Sequence, residues 1–155
     1  MNTDLPGANR LATMQAIEQS EIRTLIPHAH AMCLLERVIN WTNDDIDCVA
    51  ISHRDPFNPL RHEKSLPIHA GIEYCAQAIA LHGGLTHRAS GPPRRGYLAV
   101  IIGAQWHVER LDDCAGELRI YANRQVRLQQ GASYKFRLDH EGHTLLTGQA
   151  VVALD

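Results

Sequence analysis

The chain has 155 residues, enough for one domain with a substantial core, and its hydrophobic content of 45% and charged content of 21% are typical of globular proteins. A formal net charge of −2 gives no reason to expect a nucleic acid or an anionic membrane as partner. No apolar run approaches the length of a membrane span, and the N-terminus lacks the pattern of a secretory signal.

The first third of the chain predicts an arm, a short helix and a hairpin. We expect residues 1–11 to form a flexible N-terminal arm and residues 12–155 to form a single domain. A helix is expected over 13–25, where apolar residues recur at helical spacing. Strand-like runs follow at 32–41 and 46–52, with a polar turn between them, so these two runs are expected to pair.

A long apolar helix is predicted from Ser65 to Gly84, ended by the pair of glycines at 83 and 84. Its only acid is Glu73, and Gln77 follows one turn later on the same edge. A carboxylate on such a helix needs a partner, so Glu73 either meets a cation or lines a site. The apolar stripe consists of Ile68, Ile72, Cys75, Ala76, Ile79 and Ala80.

The remainder of the chain reads as strands. Residues 97–108 predict a long apolar strand with a bulge at Gly103. From 117 to 129 apolar and polar residues alternate, which places Val126 and Leu128 on the apolar face. Two further strands follow, separated by glycine-containing turns, with one apolar face made of Tyr134, Phe136, Leu138, Leu146, Gly148, Ala150, Val152 and Leu154.

This order of elements resembles the hot-dog superfamily, an α+β fold in which a curved antiparallel sheet wraps around one long central helix. Within it, three stretches resemble the bacterial 3-hydroxyacyl-(acyl carrier protein) dehydratases: Ile26-Pro27-His28 with the run to Val38, Leu66-Pro67 through Gln77, and the stretch from Val100 to Leu118. The form Gly-Ile-Glu-Tyr-x-Ala-Gln, residues 71–77, resembles most closely the predicted dehydratases of aryl polyene pigment gene clusters.

The resemblance implies dehydration of 3-hydroxyacyl thioesters, carried on acyl carrier protein, to 2-enoyl thioesters in fatty-acid-like or polyene biosynthesis. It implies no cofactor, and a homodimer or a heterodimer with another hot-dog subunit. The chain departs from the family in the loop before the helix. The family's catalytic His stands in Gly-His-Phe-Pro, whereas here the loop reads Asn-Pro-Leu-Arg-His-Glu at 58–63, with His62 closer to Pro67.

Such a dehydration needs a base, an acid and donors for the carbonyl oxygen. A neutral imidazole suits the first role, and His28 and His62 are the candidates. A carboxyl group on an apolar helix suits the second, because desolvation favours its protonated form, so Glu73 is the candidate acid. Amides at the helix start, near Ile68 to Gly71, suit the third role.

Gln77 and His69 complete the predicted binding residues, and each candidate has a structural alternative. Glu73 could pair with an Arg, Gln77 could anchor the helix by hydrogen bonds, and His28 could brace its loop. His62 and His69 could be solvated. We interpret His82 and His87 as helix-end residues favoured by the dipole and His53 as a surface or turn residue.

Ten histidines and four cysteines require a test for metal sites and disulfides. There is no His-Glu-x-x-His motif and no cysteine pair at zinc spacing, so no metal is predicted, with His28 and His30 as a weak alternative. Widely spaced cysteines indicate buried thiols in a reducing cytoplasm. Arg94 and Arg95, with Arg88 nearby, form either a solvated loop or a contact for the carrier's phosphopantetheine phosphate.

Three functions therefore remain open at the level of sequence. The first and preferred hypothesis is an acyl carrier protein dehydratase. The second is a hot-dog thioesterase, in which Glu73 activates water or attacks the thioester. The third is a non-catalytic subunit that pairs with an active dehydratase, which the altered loop histidine favours.

Overall fold

A single antiparallel sheet wraps around a long helix in the computed structural model, which describes residues 16–26, 32–87 and 96–154. Within these residues the sheet has seven strands, in the order β1-β2-β3-β5-β6-β7-β4. The elements are β1 Ile17–Glu18, α1 Gln19–Leu25, β2 Arg37–Trp41, β3 Asp45–Ala50, α2 Ala70–His87, β4 Gly96–Trp106, β5 Leu118–Leu128, β6 Gly131–His140 and β7 His143–Leu154. The arm predicted for residues 1–11 lies outside the described residues.

The predicted hairpin is confirmed, but its first strand is shorter than expected. β2 and β3 pair antiparallel, and the hydroxyl of Thr42 accepts hydrogen bonds from two amides of the turn between them. Residues 32–36 are not part of the strand, because their backbone is hydrogen-bonded to side chains from α2 and from the loop after β3. The helix expected from residue 13 begins at Gln19, since Ile17 and Glu18 pair with β2 instead.

The central helix is shifted relative to the prediction at both ends. It begins at Ala70 rather than Ser65, because residues 66–68 are held in extended form against 109–111, through bonds such as Leu111 N–H to Leu66 C=O at 2.8 Å. It continues past Gly83 and Gly84 to His87. Gly84 has a packing role, since a Cβ there would lie 3.3 Å from the carbonyl oxygen of Leu25.

The alternation predicted for the C-terminal strands is confirmed in β6 and fails in the second half of β5. Tyr134, Phe136 and Leu138 are buried against α2, together with Leu118, Ile120 and Ala122 of β5. A register shift between Arg124 and Val126 then inserts one residue. Because the side-chain period of a strand is two, this insertion turns Val126 and Leu128 outward, where they are 49% and 59% exposed.

All four cysteines are buried free thiols, as the sequence indicated. Burial raises the pKa of each, most strongly at Cys48 and Cys75. In the described part of the chain, no helix is long and apolar enough to cross a membrane.

Candidate active site

Glu73 lies in the first turn of α2 and is partly buried. An acidic side chain is favoured there by the helix dipole. The residues on both sides of it pack inward, since Ile72 contacts the core and Tyr74 is fully buried. The structure therefore places the one acid of the helix in its first turn, because α2 begins at Ala70 and not at Ser65 as the sequence predicted.

Tyr74 fastens this first turn to two neighbouring segments. The hydroxyl of Ser52 donates to the carbonyl of Leu34 at 2.7 Å, so the phenol of Tyr74 donates to Ser52, also at 2.7 Å. The phenol in turn accepts from the amide nitrogen of Asn58 at 3.1 Å. Burial raises the pKa of Tyr74, which keeps this phenol a neutral donor.

Gln77 is fully buried one turn after Glu73, and both polar atoms of its side chain are used. Its amide nitrogen donates to the carbonyl of Met32, and its oxygen accepts from the N–H of Leu34 at 2.9 Å. This arrangement corresponds to the anchoring alternative for Gln77. Leu34 is consequently held at its N–H by the helix and at its C=O by Ser52.

The amides at the start of α2 are less available than the sequence suggested. The N–H groups of Ile68, Ala70 and Gly71 donate to the carbonyls of Glu109, Pro67 and Ile68, at 2.8 to 3.0 Å. The expectation of free donors at Ile68 and Gly71 is therefore wrong. The N–H of His69 forms no hydrogen bond within the described residues, which leaves it as the candidate donor of this turn.

Gly71 has a clear packing role. A Cβ at this position would lie 2.8 Å from a methyl carbon of Leu138 and 3.0 Å from one of Leu146. Only a residue without a side chain lets the helix approach β6 and β7 this closely. Gly71 thus determines how closely the first turn of α2, which carries Glu73, packs against β6 and β7.

The histidine candidates divide into one exposed loop residue and one outside the described residues. His62 is exposed at the foot of a tight turn, in which Glu63 and Lys64 have φ of 49° and 71° and His62 pairs with Ser65. His69 has an exposed side chain immediately before α2. His28 lies outside the described residues, as do His30, Arg88, Arg94 and Arg95.

Two histidines that the sequence assigned to the surface or to the helix end are fully buried. His53 donates from Nε2 to the carbonyl of Cys114 at 2.9 Å, and its Nδ1 has no hydrogen-bond partner among the described residues. His82 donates from Nε2 to the carbonyl of Thr42 at 2.9 Å and accepts from the phenol of Tyr134 at 2.7 Å. The spacing of His82 from Cys75 and Ile79 signalled the inward position, because all three share one helix face.

A cavity of about 500 Å³ lies on the opposite face of the sheet from α2 and contains none of the predicted site residues. Its walls combine Phe136 and two glycines with polar side chains of four strands, among them Gln105, Tyr121, Asn123, Lys135, Arg137 and Gln149. Among the described residues, no three His, Cys, Asp or Glu side chains are grouped as a metal site would require.

The sheet wrapped around α2, with an acid in the first turn of the helix, is a hot-dog fold. Solved structures agree with this class. The dehydratase heterocomplex ApeI:P from Xenorhabdus doucetiae matches with a TM-score of 0.78 at 24% identity, over 86% of this chain and 90% of that one. A thioesterase from Haemophilus influenzae matches at 0.62 and 11% identity, over 92% and 93%. A hypothetical thioesterase with coenzyme A from Streptococcus pneumoniae matches at 0.57 and 9% identity, over 76% and 84%.

The family is shown by sequence. The model of ApeP-like proteins, described as ApeP dehydratase, matches residues 20–154. The chain therefore belongs to the ApeP-like dehydratase family, which confirms the resemblance to the dehydratases of aryl polyene clusters. Among curated proteins, none matches the chain significantly.

Proposed function

We propose that this chain removes water from 3-hydroxyacyl thioesters carried on acyl carrier protein, giving 2-enoyl thioesters for fatty-acid-like or polyene biosynthesis in the cytoplasm. The observation that carries the proposal is the family match over residues 20–154, which includes α2 with Glu73. The matched Xenorhabdus structure is a dehydratase heterocomplex, which supports the same reaction. No cofactor enters the proposal, and no redox cofactor is needed, because the elimination of water involves no net oxidation or reduction.

The proposed mechanism assigns three roles. A histidine, His28 or His62, takes the proton from the carbon next to the thioester carbonyl. Glu73 gives a proton to the leaving hydroxyl, so that the carbon–oxygen bond breaks and water departs. The N–H of His69 is the proposed donor to the carbonyl oxygen while negative charge develops there.

Gln77 enters the proposal as a binding-site residue that acts through the backbone. Its bonds to Met32 and Leu34 fix the chain just after residues 27–31, which include His28. His28 is four residues from Met32, and four extended residues span at most about 14 Å. His62 likewise stands four residues from Asn58, which bonds to Tyr74 beside Glu73, so both histidines stay candidates for the base.

The proposal includes pairing with another hot-dog subunit. The relative in the ApeI:P structure is part of a heterocomplex. In the described part of this chain, no strand covers the outer edge of β4, and Leu98, Val100 and Ile102 on it are 43% to 49% exposed. An open apolar edge of this kind needs a partner.

The test is a mass-spectrometric assay of the purified protein with a 3-hydroxyacyl carrier protein. The acyl group should lose one water, and Glu73→Gln should reduce the rate by at least about 100-fold, because general acid catalysis contributes on this scale. Glu141→Gln is the matched control, since Glu141 is 75% exposed in the β6–β7 turn, and it should leave the rate unchanged. His28→Ala and His62→Ala, with the exposed His143→Ala as control, identify the base.

Other results of the same assay would indicate one of the two alternative functions, a thioesterase or a non-catalytic subunit. Release of the free acid would make the chain a thioesterase. Absence of any reaction from the folded protein, with dehydration restored when a second hot-dog subunit is added and insensitive to Glu73→Gln, would make it a non-catalytic subunit. An unchanged rate in Glu73→Gln alone would remove Glu73 from the mechanism.

A further inference from the structure

The phenol of Tyr74 lies where the first turn of α2 meets the loop that precedes it. It donates to the hydroxyl of Ser52 at 2.7 Å and accepts from the side-chain nitrogen of Asn58 at 3.1 Å. The Asn58 nitrogen also donates to the carbonyl of Ser52 at 2.9 Å. The start and the end of the loop over 52–58 are therefore joined to each other and to one hydroxyl group, on the residue next to Glu73.

Two further hydrogen bonds connect this junction to the segments that carry the candidate bases. Ser52 donates to the carbonyl of Leu34 at 2.7 Å, at the end of the segment that follows His28. The Oδ1 atom of Asn58 accepts from the N–H of Leu60 at 2.9 Å, in the loop that continues to the second candidate histidine. The position of both segments relative to α2 thus depends on the same phenol.

The loop that carries His62 needs such an anchor, because its backbone is strained. Glu63 and Lys64 have φ of 49° and 71°, in the left-handed region that residues other than glycine rarely adopt. Conformations of this kind persist only where the surrounding structure holds them in place. Asn58, which is 5% exposed, connects the loop to the helix, and Tyr74 is the residue of α2 to which its side chain is bonded.

We infer that Tyr74 is a positioning residue of the proposed reaction, whose phenol holds the segments of both candidate bases against the turn of α2 that carries Glu73. The inference rests on the proposed function and adds a residue to it. Tyr74 itself transfers no proton in this account. The inference applies to a site within one chain and to a site shared with a second subunit, because the phenol fixes both segments of its own chain.

The first experiment compares the kinetics of Tyr74→Phe with those of the wild type in the dehydration assay. The substitution removes the hydroxyl group and keeps the ring in the core. The value of kcat should fall roughly 10- to 100-fold, because a displacement of about 1 Å in a reacting group has an effect of this size. KM should change by less than about twofold, because the substrate contacts are not altered.

Tyr134→Phe is the matched control. Tyr134 is also buried, at 2% exposed, and its phenol also makes a hydrogen bond of 2.7 Å, to Nδ1 of His82. His82 lies eight residues after Tyr74 on α2, which is about 12 Å along the helix axis. This variant should therefore keep the kcat of the wild type, and circular dichroism confirms that both variants are folded.

The second experiment measures amide hydrogen exchange by mass spectrometry and does not depend on the reaction. In Tyr74→Phe, peptides that cover residues 52–62 should exchange at least about tenfold faster than in the wild type, because the loop has lost its connection to the helix. In Tyr134→Phe the exchange of these peptides should be unchanged.

Unchanged exchange over residues 52–62 in Tyr74→Phe overturns the inference, whether or not the chain is active. An unchanged kcat in this variant, or an equal loss of kcat in Tyr134→Phe, overturns it as well. A wild type that does not dehydrate its substrate contradicts the proposed function, and the exchange measurement then still decides whether the phenol of Tyr74 holds the loop.

Discussion

The segment around Leu34 is held beside the first turns of α2 by hydrogen bonds to single side chains, rather than by strand pairing. Leu34 is held by Gln77 on its N–H and by Ser52 on its C=O, and Ser52 is held in turn by Tyr74. Leu34, Gln77 and Tyr74 are buried and Ser52 is partly buried, so a buried group whose partner was removed would lose a hydrogen bond without gaining one from water. The sequence indicated Gln77 and Glu73 as neighbours on the helix, but the partners of Gln77 are 43 and 45 residues away and left no local pattern.

Replacing Gln77 with leucine should therefore destabilise the fold. Gln77→Leu leaves the buried N–H of Leu34 and the partly buried carbonyl of Met32 without their partner, and we expect a loss of about 3 kcal/mol in the free energy of unfolding. Urea denaturation measures it. The exposed Gln149→Leu serves as control and should change stability by less than about 0.5 kcal/mol. Equal losses in both variants would contradict the role of Gln77.

His82 behaves as a neutral buried group rather than as a helix-end cation. Burial lowers its pKa from 6.5 to about 4. The carbonyl of Thr42 and the nearby Asp45 and Asp44 favour the cation, and Arg124 opposes it, but burial dominates. The hydrogen bond to Thr42 fixes the proton on Nε2, so that Tyr134 can donate to Nδ1.

Stability should fall as the pH decreases from about 6.5 towards about 4. In this window the unfolded chain binds a proton at His82 that the folded chain resists, so unfolding is favoured by about 2 kcal/mol at pH 5 relative to pH 7. His82→Gln should lose this part of the pH dependence, as measured by urea denaturation at both pH values. His143→Gln, which changes an exposed histidine, should retain it. The same slope in both variants would contradict this account.

At the scale of elements, two glycines of α2 differ in their surroundings: Gly71, which the prediction treated as a binding residue, and Gly83, one of the pair that it treated as a stop. Gly71 is packed against Leu138 and Leu146, whereas a Cβ at Gly83 would meet nothing within 4 Å. Helix propensity alone favours alanine at both positions by about 1 kcal/mol. At Gly71, packing should determine whether a substitution by alanine raises or lowers the stability of the protein.

We expect Gly83→Ala to stabilise the protein by about 0.5 to 1 kcal/mol, because it removes backbone freedom from the unfolded chain without a clash. Gly71→Ala should destabilise it by about 1 to 2 kcal/mol, because the helix must move away from β6 and β7. Thermal and urea unfolding of the pair measure the difference. Stabilisation by both substitutions would show that Leu138 and Leu146 adapt freely.

The periodicity of apolar residues predicted an element correctly where neighbouring residues alone determine its structure. It failed where a contact with residues distant in sequence determines it. In β6 the alternation of Tyr134, Phe136 and Leu138 was sufficient, since both neighbouring strands keep register there. In β5 the added residue before Val126 reverses the faces, and nothing in the local sequence signals it. The start of α2 was misplaced because residues 66–68 pair with 109–111, a contact that no local pattern reveals.

At the scale of the whole molecule, the fold class could be predicted because the order of a hairpin, one apolar helix and a run of strands, with their motifs, resembles the hot-dog superfamily. The position of Glu73 on the central helix could be predicted too, since a single carboxylate on an apolar helix is conspicuous, and its role as the acid stays a prediction. The base could not. It depends on which loop approaches α2, and the loop with His62 is arranged by Arg61, whose guanidinium donates to the carbonyls of His53, Asp55 and Lys64.

The order of the strands in the sheet has a consequence for co-translational folding. β4 is made before β5, β6 and β7, yet the only described strand that pairs with it is β7, the last to emerge. While β5, β6 and β7 are being synthesised, the long uncharged strand β4 has no partner, and exposed strands of this kind are prone to aggregate. On a polysome, each nascent chain therefore exposes an unpaired β4 until its β7 has been synthesised and can pair with it.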